Sequence, residues 1–180
     1  MKNLKFNITG KSLNELYKIY GEGDGGFYSH WWKDESFANE KPKPGTYEIN
    51  FERELIELNY EEQKKKLPKG FEFPHLAVIA EAILSHHKKT KKWLFENYYS
   101  RTSLISSGGG RVVVGGCCDG SVGVSGWGGS GGGGVGVGAS RKLKSLKSIK
   151  LEPFDSLFLE RLESLENDMS KLKKVININD

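Results

Sequence analysis

Sixteen of the chain's 23 glycines lie between residues 106 and 140, and this segment restricts the fold more than any other feature. Glycine inside regular structure costs roughly 0.5–1 kcal/mol relative to alanine, so such a density excludes a helix there. Only Arg111 and Asp119 carry charge within it, and valines alternate with small residues. That period is a strand's. Asp119-Gly120 is a two-residue hairpin signal. Used as the loop, it pairs Cys118 with Ser121, Cys117 with Val122, Gly115 with Val124, Val113 with Gly126 and Val112 with Trp127. Val135, Val137 and Ala139 continue the alternation after the flexible run GGSGGG. The expectation is a three-stranded antiparallel meander with one valine face and one nearly bare face. A bare glycine face has two physical uses. A partner or ligand approaches it closely, or aromatic rings of the same domain lie across it. Trp127 and the cluster Phe27, Tyr28, Trp31 and Trp32 are the internal candidates.

Residues 1–105 are mixed and nearly neutral, with 17 basic and 15 acidic side chains. Ser12-Leu-Asn-Glu15 is a capping-box pattern. It opens a short helix with Leu13, Leu16, Tyr17 and Tyr20 on its apolar stripe, stopped at Gly21. Thr46–Phe51 alternates strictly, placing Tyr47, Ile49 and Phe51 on one buried face. Asn59-Tyr-Glu-Glu62 caps a second helix that runs to about Lys66. Leu76, Ile79, Ala80, Ile83, Leu84 and His87 step as the core stripe of a third, whose basic end, Lys88–Lys92, suits the helix dipole. Trp93–Tyr99 fits helix or strand equally.

The C-terminal segment carries the most regular spacing in the chain. Phe158, Leu162, Leu165, Met169, Leu172 and Ile176 step by 4, 3, 4, 3 and 4, a heptad seam flanked by Glu160, Glu163, Lys171 and Lys173. It predicts a helix that oligomerises with further copies of the chain. Phe158 and Met169 depart from the dimer pattern of β-branched and Leu positions, so the number of strands stays open.

Between these parts, residues 141–150 hold Arg141, Lys142, Lys144, Lys147 and Lys150 with no acid. They read as a solvated connector, or alternatively as a nucleic-acid-binding patch. The remaining chemistry is thin. His75 and His86 are 11 residues apart on one helix, about 16 Å along its axis, too far to share a metal. Cys117 and Cys118 beside Asp119 read as small sheet-filling residues, since a neighbouring carboxylate raises a thiol pKa. No G-x-x-x-x-G-K-[ST] run occurs, and the glycine runs lead into strands rather than helices. No metal or cofactor is therefore expected. The N-terminal MKNLKFNITG holds no apolar run of signal-peptide length, and only two cysteines occur, which points to a cytoplasmic protein away from membranes.

The chain is thus expected to be α+β: a domain over 1–140 containing the 106–140 meander, a basic connector over 141–150, and a coiled-coil helix over 151–180. The function expected is non-enzymatic, a homo-oligomeric binding or structural assembly protein that displays a flat glycine-rich sheet to an unknown protein partner. Nucleic-acid binding through 141–150 is the alternative.

Overall fold

The computed structural model describes residues 3–50, 55–56, 58–128, 134–144 and 156–176. The chain divides into two compact units, Met1–Leu143 and Lys144–Asp180. The first unit is α+β. Its elements are β1 (Asn3–Ile8), α1 (Leu13–Tyr20), β2 (Gly45–Asn50), α2 (Tyr60–Lys66), α3 (Leu76–Thr90), β3 (Tyr99–Ile105), β4 (Arg111–Gly115), β5 (Gly123–Trp127), β6 (Val135–Gly136) and β7 (Ser140–Lys142). Short 3-10 turns cover Trp31–Asp34, Ser36–Asn39 and Cys117–Asp119. The second unit contains α4 (Ser156–Ile176).

The strands form two sheets, a three-stranded one ordered β1-β2-β7 and a four-stranded one ordered β5-β4-β3-β6. The first is antiparallel throughout. α3 packs against β1 of the first sheet, β4 of the second and α1. It is consequently buried on all sides over its first nine residues, Val78, Ala82 and Glu81 included, rather than along one stripe. The buried Glu81 is satisfied, accepting from the Thr9 backbone N–H at 3.1 Å and from Thr9 Oγ1 at 2.6 Å. α2 docks through Gln63, fully buried, whose Nε2 donates to the Leu55 carbonyl at 2.7 Å. Gln63 Oε1 accepts from Arg101 Nη1 at 2.7 Å. Burial, with Arg111 nearby, lowers the Arg101 pKa.

The glycine-rich segment departs from the expected meander in register and in order. β4 and β5 do pair antiparallel, but Gly115 faces Gly123, Val114 faces Val124 and Val112 faces Gly126. That is one residue from the pairing expected of an Asp119-Gly120 turn. A one-residue slip changes which side chains share a face. The cause lies outside the hairpin. Gly116 takes a left-handed conformation and Cys117–Asp119 a 3-10 turn. The widened loop is then bonded to the N-terminal part of the chain. Gly25 N–H donates to the Gly120 carbonyl and Val122 N–H to the Gly26 carbonyl, both at 2.8 Å. Two tertiary hydrogen bonds outweigh one local turn preference. β6 is not a third meander strand either. It pairs parallel with β3, Tyr99 facing Val135 and Ser100 facing Gly136. The outer edge of β5 is taken by the segment after Phe27, where Tyr28 N–H donates to the Val122 carbonyl at 2.9 Å. The chain then crosses to the first sheet, where Ser140–Lys142 forms β7.

Candidate functional site

The heptad segment is helical over Ser156–Ile176. Three of its seam residues have described side chains, and all are open to solvent: Leu165 is 59% exposed, Met169 58% and Leu172 61%. The side chains of Phe158, Leu162 and Ile176 lie outside those described. Asp168 and Lys171 form an exposed i,i+3 ion pair at 3.7 Å, worth a few tenths of a kcal/mol. A helix of this length gains most of its stability from packing an amphipathic face. Exposed Leu and Met at 4 and 3 spacing form such a face.

The basic run does not begin as a connector. Arg141 and Lys142 belong to β7, and the first compact unit closes at Leu143. Arg141 Nε donates to Glu48 Oε2 at 2.6 Å, and its guanidinium lies 4.7 Å from the centre of the Phe71 ring. Arg141 is therefore committed to a carboxylate and a ring. Lys142 is exposed, and its Cε lies over Gly45, where a Cβ would come within 2.8 Å of it. Lys144 is exposed. Lys147 and Lys150 lie outside the described residues.

Among the described residues, Gly116, Gly123, Gly136 and Gly138 are covered from within the domain. A Cβ on Gly123 would lie 2.9 Å from Tyr99 Oη, and one on Gly136 would lie 3.1 Å from Ile56 Cγ1. Tyr99 also fills the space above Gly116, and the Phe95 ring that above Gly138. The covering rings are Phe95, Tyr98 and Tyr99, not Trp127 or the N-terminal aromatics. Those residues sit just where periodicity left helix and strand undecided.

The N-terminal aromatics divide. Phe27 and Trp32 are fully buried core, packed ring to ring at 5.2 Å. Tyr28 and Trp31 stay exposed, and Trp31 Nε1 donates to the Val124 carbonyl at 2.7 Å, which fixes its ring. Trp31 and the exposed Ile105 line a cleft of about 400 Å³ with Asp34, Glu35, Ser36, Ser106 and Ser107. Ser107 orients Glu35, donating from its backbone N–H at 3.0 Å and its hydroxyl at 2.6 Å. Ile105 carried no sequence signal, since the strand that ends on it was not legible.

Each histidine has a local role. His75 caps α3, its Nδ1 accepting from Ala77 N–H at 3.2 Å. His87 stacks on Trp93 at 3.7 Å, and His86 meets Phe6 edge-on. His30 Nδ1 and Tyr17 Oη both lie 2.8 Å from Glu22 Oε2. The Tyr17 bond, then His30, holds the Glu22 carboxyl below its ordinary range, and Glu22 holds the Tyr17 hydroxyl above its own. Cys117 is buried in the 3-10 turn rather than on a strand. Among the described residues no three His, Cys, Asp or Glu side chains come together as metal ligands, and no helix is long and apolar enough to cross a membrane. Compared with protein-family models, curated proteins and solved structures, the chain matches none.

Proposed function

We propose that the chain is a non-enzymatic, homo-oligomeric binding or assembly protein whose C-terminal helix joins the copies. The observation that carries this reading is the open seam of α4, with Leu165, Met169 and Leu172 more than half exposed at heptad spacing. Burial of each such side chain contributes roughly 1.5–3 kcal/mol. A second copy of the same helix offers a complementary seam, with acidic and basic residues on its flanks.

Light scattering on the full chain tests it. The expected mass is a multiple of 20.1 kDa. Leu165→Asp, which would bury a charge without a partner, and removal of residues 151–180 are each expected to yield monomer. A monomeric full chain at micromolar concentration, or an unchanged mass for Leu165→Asp, sinks the proposal.

A further inference from the structure

Each sheet has two edge strands, and among the described residues three of these four edges are engaged by hydrogen bonds from other segments, β5 at its Val122–Val124 end. On β5, Tyr28 N–H donates to the Val122 carbonyl just before the strand and Trp31 Nε1 to Val124. On β6, Gln63 Nε2 reaches the Val135 carbonyl at 3.4 Å. On β7, Ser140 and Glu72 exchange both backbone hydrogen bonds, at 2.9 and 3.0 Å.

β1 is the fourth edge, and the ladder shows which of its groups face outward. Asn50 N–H donates to the Ala139 carbonyl and Leu143 N–H to the Thr46 carbonyl, both at 2.8 Å. The even-numbered residues of β2 are thus directed toward β7. Antiparallel bonding alternates, so Gly45, Tyr47 and Ile49 bond to their partners Ile8, Phe6 and Leu4. The backbone N–H and C=O groups of Asn3, Lys5 and Asn7 therefore point away from the sheet. Among the described residues nothing pairs with them.

A groove of about 410 Å³ runs beside this edge, between residues 4–7 of β1 and Ser85, His86 and Lys89 of α3. Half-buried Leu4 and Phe6 form an apolar wall. Lys89 supplies positive charge on the α3 wall and Lys5 on the opposite face of the strand, and among the described residues no carboxylate lines the groove. The carboxylates on the adjoining elements are engaged, Glu48 by Arg141 and Glu81 by Thr9.

We propose that β1 takes up an extended acidic peptide segment of another protein as an added strand. The outward backbone groups of Asn3, Lys5 and Asn7 recur every second residue, about 6.6–6.8 Å apart, the repeat of a paired strand. Carboxylates of the incoming segment face Lys5 on one side of the sheet, and its alternate, apolar side chains lie against Leu4 and Phe6 on the α3 side, with Lys89 at the margin. A second copy of this chain is a poor occupant. Pairing two β1 edges about Lys5 sets two ammonium groups opposite each other, which is unfavourable.

The test measures fluorescence anisotropy of the full chain with a labelled, acetylated Glu-Val-Glu-Val-Glu-Val peptide at low salt, against the Lys-Val counterpart. The acidic peptide is expected to bind at least about tenfold tighter and to weaken as salt rises. Lys5→Pro removes an outward N–H and a charge but no bond to β2, and proline is tolerated on edges. It is expected to weaken binding about tenfold or more, Lys5→Gln about threefold, and Lys89→Glu only about twofold, through its longer-range charge. Hydrogen exchange on the unmodified chain decides the matter if Lys5→Pro does not fold, because the peptide must slow the Lys5 and Asn7 amides. No binding, equal affinity for the basic peptide, or bound peptide with unprotected amides would each overturn the proposal. It does not rest on the assembly reading: Leu165→Asp is expected to bind the peptide with unchanged affinity, so either idea fails without the other.

Discussion

At the residue scale, the glycines of the second sheet are set by the rings that cover them. Phe95 is buried in a left-handed conformation at φ 55°, rare for an aromatic residue, and its ring occupies the space a side chain on Gly138 would need. Tyr99 does the same over Gly116 and Gly123. Gly123→Val and Gly138→Val are therefore expected to destabilise the protein by about 1–3 kcal/mol or more through overpacking, seen as a lower Tm. Gly126 is the contrast. A Cβ there meets only Ser106 Oγ at 4.0 Å. Gly126→Ala should leave Tm equal or raise it, gaining up to about 1 kcal/mol from a less flexible unfolded chain. A fall in Tm for Gly126→Ala matching that of Gly138→Val would refute the covering-ring account.

At the scale of elements, helix starts carry much of the local information. Ser12 Oγ accepts from Glu15 N–H at 3.3 Å while Glu15 accepts from Ser12 N–H at 2.9 Å. Asn59 and Glu62 repeat the exchange at 3.0 and 2.9 Å. α3 is capped differently, by the neutral imidazole of His75, whose Nδ1 accepts a hydrogen bond only while unprotonated. Burial pushes the His75 pKa down, and Glu40, at 4.0 Å, opposes this only in part. The folded state thus binds the proton less readily than the unfolded chain, whose histidine titrates near 6.5. This contribution is complete above that pH and is lost as pH falls through the lowered folded value. Tm is expected to drop between about pH 7.5 and about pH 5.5, and His75→Asn, which keeps an accepting cap, is expected to shrink that drop. An identical pH profile in His75→Asn would show that the cap is not the titrating element.

At the scale of the whole molecule, the first compact unit ends inside the basic run. β7 supplies the third strand of its sheet, and Arg141 ties that strand to Glu48 and Phe71. A chain ended after residue 143 should keep the cooperative melting of this unit. One ended after residue 140 loses Arg141, Lys142 and the Leu143–Thr46 hydrogen bond, exposes β2 as a new edge, and should melt at distinctly lower temperature. Equal melting of the two would remove β7 from the fold's essential elements.

What could be read from the chain alone is what depends on neighbours in sequence. The capping boxes at Ser12 and Asn59, the helix beginning at Leu76, the strand around Tyr47 and Ile49 and the strand character of Val112–Val114 all follow from side-chain period or from bonds spanning three residues. Tertiary structure decided the pairing. β1 was not legible, because Asn3–Ile8 is a half-exposed edge whose only described strand partner lies some forty residues on. β3 was hidden because Arg101, Thr102 and Ser100 are polar yet buried, hydrogen-bonded to Gln63, to the Val112 carbonyl and to the Gly138 N–H on other elements. The glycine register turned on hydrogen bonds from Gly25 and to Gly26, nearly a hundred residues away. Local pattern specifies which elements form, because helices and turns close their bonds within a few residues. Which strands meet, and which edge stays open, is set by contacts that no local period encodes.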